Sequence, residues 1–272
     1  MNENNTSPES NINSTINAIT GLAKEIPVYQ DAIQPSAQEI GKSLHTVTKT
    51  INIALAPIKI LVWGYEKIED YISKRVSEKL DKIPTENITT PDPKIAVPAI
   101  EALRYTGSDE YLRELYANLI ANSMDKATMR NAHPGFVEIL KNLTSDEAIL
   151  LKAFILDKTH PLIDINGKEQ QDEGFIPLIK SQSHFHNNLD IQNPDLIPAY
   201  LDNLIRLGIL EIPHDLVLTQ ESRYEELENS PIFTVLKEKN QNSLDRKLVL
   251  KRKLVRTTSF GNEFIQSVVV DK

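Results

Sequence analysis

The segment that most constrains this chain is residues 51–65, INIALAPIKILVWGY, in which eleven of the fifteen residues are apolar. Between Lys49 and Glu66 the only charged residue is Lys59. A helix that is apolar on nearly every side is typically covered by protein. Pro57 lacks a backbone N–H and its ring crowds the preceding turn, so we predict a kink or a break there. The segment is shorter than the roughly 20 residues that cross a bilayer.

The composition is that of a soluble globular protein that favours helix. Only nine of the 272 residues are glycine, and 40% are apolar. There is no cysteine, which excludes disulfides, thiolate catalysis and cysteine zinc sites. The net charge of −8 argues against general affinity for nucleic acid or anionic lipid. The N-terminus has no secretion signal, so we expect a cytoplasmic protein whose residues 1–28 form a disordered polar tail.

Residues 29–142 are predicted to form a helical bundle domain. After Pro57, apolar residues recur in steps of three and four, as on the buried stripe of an amphipathic helix. Residues 83–97 contain three prolines and are expected to be an extended connection. Further helices are predicted to begin at Pro98, after a Ser108 cap, and at Pro134, and to pack around residues 51–65. The buried stripe predicted after Pro57 consists of Ile58, Leu61, Tyr65, Ile68, Ile72, Val76 and Leu80.

Residues 143–272 show a different order of predicted elements, and the first of them is a helix. Thr144 and Glu147 form a capping box, in which a threonine N-cap is followed three residues later by glutamate. Asn166-Gly167 indicates a hairpin turn. Residues 175–181 and 194–207 are predicted to be helices.

Two strands are predicted in the last part of the chain, at residues 209–212 and 248–255. A charged helix within an insertion at about 221–245 separates them, and a final helix begins near Phe260. This order of elements is that of a winged-helix unit with a helix inserted in its wing. The predicted fold class is therefore mainly α with a small β component, a long kinked-helix bundle followed by a winged-helix-like domain.

Candidate catalytic and metal-binding residues are few. His184 and His186, near Asp190, lack the spacing of a helical metal site, and we interpret them as a polar loop. Arg130 and His133 have the residue types of a ribonuclease motif of helical toxins at too short a spacing, so His133 is interpreted as a capping or packing residue. The sequence has no Gly-rich phosphate loop, GxSxG or HExxH motif. We predict no catalytic residue, cofactor or metal.

Basic residues cluster in one stretch, residues 237–256, where eight Lys and Arg face two acids. A wing there would contact phosphates. The alternative is a solvated strand edge, which uses lysine to prevent pairing with other strands. The candidate nucleic-acid contacts are Lys247, Lys251, Arg252, Lys253 and Arg256.

Several short motifs occur along the chain. They are Leu55-Ala56-Pro57, Val62-Trp63-Gly64-Tyr65-Glu66-Lys67-Ile68, Pro98, Leu112-Arg113-Glu114-Leu115-Tyr116-Ala117-Asn118-Leu119-Ile120-Ala121, His133-Pro134-Gly135-Phe136-Val137, Leu143-Thr144-Ser145-Asp146-Glu147-Ala148, Leu207-Gly208-Ile209 and Thr258-Ser259-Phe260-Gly261. In this order they resemble the abortive-infection alpha family of bacteria, over roughly residues 30–265, and residues 221–245 match least. The resemblance implies a role in phage defence by abortive infection and carries over no catalytic residue. Packing or capping positions within the motifs are Pro57, Trp63, Tyr65, His133 and Phe136.

Three hypotheses for function follow. The first is a phage-defence protein that acts through protein–protein contacts rather than catalysis. Its expected partners are a second copy of the chain, in a homo-oligomer, or another defence or phage protein. The second is a nucleic-acid-binding winged-helix regulator that uses the basic wing. The third is a membrane-active effector that exposes residues 51–65.

Overall fold

A computed structural model describes residues 44–61, 68–106, 109–169, 174–241 and 246–272. Over these ranges the chain is mainly helical, with one small antiparallel sheet. The tail predicted for residues 1–28 lies outside the described residues, as do Trp63 and Tyr65. Ser108 also lies outside them, and the helix cap predicted there is wrong, because the helix that follows is capped by Asp109, whose side chain accepts a hydrogen bond from the Leu112 N–H at 3.1 Å. In the described part of the chain, no helix combines the length and the apolar character needed to cross a membrane.

In its described ranges, the first half of the chain is built mainly from α-helices. They are α1 (Leu44–Leu61), α2 (Glu69–Lys79), α3 (Pro93–Leu103), α4 (Glu110–Met124) and α5 (Gly135–Leu140). The apolar stripe is confirmed where it is described, because Ile58, Ile72, Val76 and Leu80 are all fully buried. The short helix after Pro134 is also confirmed, with Phe136 in the core.

Helix α3 begins five residues before the predicted start at Pro98. The Asp92 side chain accepts a hydrogen bond from the Lys94 N–H at 2.8 Å, and Pro93 occupies the first helical position. Aspartate before proline is itself a helix-start signal, because that proline has no N–H to satisfy. Pro98 lies inside the helix, so the prediction that residues 93–97 are extended is wrong.

Helix α1 continues through Pro57 without a break and ends at Leu61. Ile51, Leu55 and Ile58 are fully buried on one side of it. On the other side Ile53 is 47% exposed and Ala56 is exposed. The expectation that protein covers this helix on most sides is therefore wrong for the side that carries Ile53.

The sheet consists of β1 (Thr159–Glu169), β2 (Phe175–Gln182), β3 (Leu210–Glu211) and β4 (Arg246–Thr257) in the order β2-β1-β4-β3. The two strands expected near residues 209–212 and 248–255 are confirmed. The turn predicted at Asn166-Gly167 is wrong, because both residues lie within β1 and pair with β4. The helix predicted for 175–181 is also wrong, since this segment is edge strand β2. Long-range pairing outweighed the local turn preference of Asn-Gly.

Three of the remaining predicted helices are confirmed: the one after the capping box, the one near residues 194–207 and the one near Phe260. The interpretation of the segment around His184 and His186 as a polar loop is wrong in part, because Phe185–Asn188 is a short helix. The capping box at Thr144 and Glu147 begins α6 (Ser145–Leu150), which is followed by a short 3-10 turn. The later helices are α7 (Phe185–Asn188), α8 (Ile197–Arg206), α9 (Glu225–Glu228), α10 (Pro231–Gln241) and α11 (Ser259–Phe264). The charged helix of the insertion is thus divided into two short helices at Asn229-Ser230.

The two faces of the sheet have different surroundings. Residues directly opposite each other on an antiparallel ladder point to the same face. One face carries Ile163 and Ile165, which form a small core with Tyr224 and Leu227 of the segment between β3 and β4. This face is called the covered face below.

A single buried cluster joins the helices of the first half to the end of the chain. After α11 the chain forms a π-helical turn, Ile265–Val269, against α4. Asn118 and Asn122 of α4 donate hydrogen bonds to the carbonyls of Val268 and Ser267 at 2.9 and 3.0 Å. The predicted division of the chain at residue 142 stays a prediction.

Candidate functional site

The face of the sheet opposite the covered face is rich in lysine. Lys168 on β1 lies directly opposite Lys247 on β4, and Asp164 lies opposite Lys251. Lys253 is on the same face, because alternate residues of a strand point the same way. We call this surface the lysine face, and it comprises Asp164, Lys168, Phe175, Lys180, Lys247, Lys251 and Lys253.

The pairing of Lys168 with Lys247 is unfavourable in the absence of an anion, because like charges directly opposite on a sheet repel. On its other side Lys168 pairs with Phe175, and its ammonium group lies 5.6 Å from the centre of that ring. Phe175 is 55% exposed. Phe175, Lys168 and Lys247 therefore form a row across three adjacent strands. The row lies at the end of the lysine face where β1 ends and β2 and β4 begin.

A cleft of about 420 Å³ lies at the other end of the lysine face. Lys180, Lys251 and Lys253 line its sheet side, and Asp202 of α8 and His214 line the opposite side together with Pro198, Ile212 and Pro213. Lysine side chains that converge on a cleft attract phosphate groups as point charges.

An irregularity in β2 shapes this cleft. Between the pairs Ile165–Ile179 and Ile163–Gln182, β2 has one more residue than β1, which is a β-bulge. Ser181 within the bulge has a φ of 53°, a left-handed conformation that non-glycine residues rarely adopt. Its N–H donates to the Asp164 carboxylate at 2.8 Å. Bulges and such backbone strain are common beside functional sites.

Only some of the lysines on the lysine face are paired with a carboxylate. The Asp164 carboxylate accepts hydrogen bonds from the Lys253 ammonium group at 3.1 and 3.2 Å, so these two charges satisfy each other. Over the described ranges no carboxylate forms an ion pair with Lys180, Lys247 or Lys251. These three cations are available to an anionic ligand. Asp164 is already engaged by two donors, which makes it a poor general base.

The five predicted nucleic-acid contacts lie on two different faces of the sheet. Lys247 and Lys251 are exposed on the lysine face, and Lys253 is paired with Asp164. Arg252 points to the covered face, where its Nε lies 2.6 Å from a Glu228 oxygen and its guanidinium stacks over Tyr224. Arg256 pairs with Glu211 at 2.7 Å across β3 and β4.

Sequence reasoning missed Lys168, Lys180 and Phe175, although the structure brings them beside Lys247 and Lys251. The reason is the misassignment of residues 166–181 as a turn and a helix. The signal that was available is the apolar run Phe175-Ile176-Pro177-Leu178-Ile179, whose β-branched and aromatic residues favour a strand.

The other singled-out residues make capping or packing contacts where they are described. His133 accepts a hydrogen bond from the Gly135 N–H at 3.0 Å through Nδ1, as the capping interpretation predicts. Its ring lies against the rings of Phe136 and Phe260, at 5.8 and 5.5 Å between centres. Pro57 is half-buried within α1.

Of the two histidines near α7, His184 lies against an aromatic ring. Burial lowers the pKa of His184, whose ring lies 6.1 Å from that of Phe185. Within the ranges that the structure describes, no group of three histidine or carboxylate side chains is arranged to hold a metal ion.

Comparison with known proteins supports a family assignment. A family model described as abortive infection alpha matches residues 64–268. No curated protein matches the chain. A solved structure of an uncharacterized protein from the hydrocarbon-degrading marine bacterium Alcanivorax borkumensis SK2 is 22% identical over 52% of this chain and 94% of that one, with a TM-score of 0.33. Because the family model spans most of the chain, from the end of α1 to the last turn, this protein belongs to the abortive infection alpha family.

Proposed function

We propose that this protein acts in abortive infection by binding nucleic acid on its lysine face. The observation that carries the proposal is the presence of Lys180, Lys247 and Lys251 on one open face of the sheet without carboxylate partners in the described chain. Phosphate groups are the anions that such spaced ammonium groups bind along a nucleic acid. The net charge of −8 opposes nonspecific binding elsewhere on the protein, which confines a polyanion to this surface.

The proposal includes a winged-helix-like arrangement for residues 143–272. It is supported by the chain order α6, β1, α7, α8, β3 and β4, in which β1, β4 and β3 are neighbours. Strand β2 is then an extra edge strand, and the segment between β3 and β4 is the enlarged wing. Helix α8 presents Asp202 to the cleft, so we assign phosphate binding to the sheet lysines and not to α8.

Replacing Lys180, Lys247 and Lys251 together by glutamine is expected to weaken nucleic-acid binding at least about tenfold near 0.1 M salt. Each phosphate contact contributes about 0.7 to 0.9 to the slope of log affinity against log salt concentration, so the slope should fall by about 2 to 3. The measurement is a titration of a labelled oligonucleotide at several salt concentrations, followed by fluorescence anisotropy.

The matched control replaces Lys82, Lys237 and Lys239, three exposed lysines away from the lysine face, by glutamine. This control has the same net charge as the lysine-face variant, and it should bind the oligonucleotide as tightly as the parent does. Equal loss in both variants, or no binding by the parent at low salt, would refute the proposal. In infected cells, the lysine-face variant should lose protection from phage while the control keeps it.

A second candidate function, protein–protein contact in a homo-oligomer, is favoured by the open side of α1. Thr48, Lys49, Asn52, Ile53 and Ala56 line a groove of about 410 Å³ there. These residues follow a spacing of four along one helix face, with Ile53 as the single large apolar side chain. Three of the neighbours of Ile53 are short side chains, which allow the same helix of a second copy to approach on that side.

Changing Ile53 to aspartate is expected to convert such an oligomer to monomer, because it buries a charge in an apolar contact. Light scattering after size-exclusion chromatography measures the mass. Ile232, which is 49% exposed on α10, provides the control when changed to aspartate. A parent protein that is monomeric at all concentrations would eliminate this candidate.

A further inference from the structure

We infer that the nucleic acid bound on the lysine face is single-stranded, with an unpaired base stacked on Phe175. The inference rests on the proposed function and adds the class of ligand. Its starting point is the row Phe175, Lys168 and Lys247, which crosses three adjacent strands of the sheet.

The position of Phe175 suits stacking. Its side chain is 55% exposed, although residues of its type are usually buried. It shares a face with Lys168, because the two residues pair on the ladder and the ammonium group lies 5.6 Å from the ring centre. A base on the exposed side of the ring would have cations within reach of its phosphate. Adjacent strands are about 4.8 Å apart, so Lys247 lies roughly 10 Å from Phe175 across the sheet.

The lysines continue in one direction from this row. Lys251 is four residues further along β4 than Lys247, a distance of roughly 13 Å. Lys180 and Lys253 then join Lys251 in the cleft of about 420 Å³. A flexible single-stranded nucleic acid with a base on Phe175 would therefore meet successive lysine ammonium groups along its phosphate backbone. Grooves of this kind, with an aromatic platform and a track of positive charge, bind single strands with little sequence preference.

A duplex would use only part of this surface. Its bases are stacked on one another and their faces are not available to an aromatic side chain. It would contact the lysines through phosphates alone, and Phe175 would contribute nothing to its affinity. Single strands should consequently bind more tightly than duplexes of the same length, and the difference should depend on Phe175.

The test uses the full chain, a labelled 12-residue oligothymidylate and a duplex of the same length, with binding followed by fluorescence anisotropy. Changing Phe175 to alanine should weaken single-strand binding by about fivefold to a hundredfold, the range for losing one stacked base. Duplex binding should change by less than about twofold, and the salt slope should not change, because no charge is removed. Tryptophan at position 175 should restore single-strand binding.

Ile176 provides the matched control, because it is 42% exposed, adjacent in sequence and on the opposite face. Its replacement by alanine should leave binding of both ligands unchanged. If single strands and duplexes bind equally and the Phe175 variant behaves as the parent does, the inference is overturned while binding by the lysine face stands. Binding to vesicles that contain anionic lipid, lost in the same variants without any oligonucleotide binding, would overturn both.

Discussion

Gly261→Ala is expected to destabilise the protein by about 3 kcal/mol, at the upper end of what overpacking a core usually costs. A Cβ atom at this position would lie 2.0 Å from the carbonyl oxygen of Ile209 and 2.8 Å from its carbonyl carbon. Both atoms belong to the backbone, which cannot move aside as a flexible side chain does. Measurement of the free energy of unfolding in urea tests this expectation.

The close approach at Gly261 is held by several hydrogen bonds. The Thr258 N–H donates to the Ile209 carbonyl at 3.0 Å, and the Thr258 hydroxyl donates to the Gly208 carbonyl at 2.6 Å. The Gly261 N–H donates to the same hydroxyl at 2.8 Å. An added methyl group must therefore separate α11 from the start of β3 and break these contacts together.

Gly135→Ala is the control for this prediction. There the nearest atom to an added Cβ is Nδ1 of the His133 side chain, at 2.9 Å. The imidazole of the exposed His133 can shift by a few tenths of an ångström, which weakens its own hydrogen bond and ring contacts but moves no backbone, so the cost should be only about 1 kcal/mol. Equal stability losses for the two variants would show that backbone contact at Ile209 is not the cause.

Asp146→Asn is expected to cost about 2 to 4 kcal/mol at neutral pH, because at least one donor to a buried carboxylate loses its acceptor and the other donors lose a charged one. Asp146 is 4% exposed. Its carboxylate accepts from the N–H groups of Gln192 and Asn193 at 2.9 and 3.0 Å, from the Asn193 amide at 3.0 Å and from the Tyr200 hydroxyl at 2.9 Å. An amide at this position keeps one oxygen and turns an NH₂ group toward the remaining donors.

The same site makes stability depend on pH. Burial by itself would raise the pKa of Asp146, but the hydrogen bonds from Gln192, Asn193 and Tyr200 outweigh burial and hold that pKa below its usual value. A depressed pKa in the folded state adds stability that is present above the unfolded value of about 3.9 and is lost as the pH falls below it. Burial also raises the pKa of Tyr200 to about 12, so its hydroxyl remains a donor throughout this range.

The stability difference between the parent and Asp146→Asn should therefore be largest near neutral pH and should shrink below about pH 4. Urea unfolding at pH 7 and at pH 3 measures it. Asp195→Asn, an exposed carboxylate near α8, serves as the comparison and should show little change at either pH. A difference for Asp146→Asn that is the same at both values would mean that the carboxylate charge does not contribute.

Local signals in the sequence were sufficient for several of the helices. The capping box at Thr144 and Glu147, the short helix after Pro134 and the helix near residues 194–207 all depend on residues within a few positions of each other. The stripe through Ile72, Val76 and Leu80 is equally local, because a helix brings residues three and four apart onto one side. Two of these features, the capping box and the start of the helix after Pro134, also lie within motifs of the family.

Residues 159–182 illustrate why the sheet was harder to predict. Asn166-Gly167 has the strongest local preference for a hairpin turn, yet eleven residues of β1 pair with β4, which is some 80 positions later in the chain. The free energy of that ladder depends on a partner that no local window contains. The lysine face depends on it as well, because register decides that Lys168 lies opposite Lys247.

The sequence alone was sufficient for the mainly helical class, the absence of cysteine chemistry, several helix starts and the family resemblance, since each depends on residue type and short spacing. Only the tertiary structure decided which side of α1 is open, which basic residues are paired with acids and which share a face with Phe175. The physical reason is that exposure, ion pairing and sheet register are properties of residues far apart in the chain, and packing alone brings those residues together.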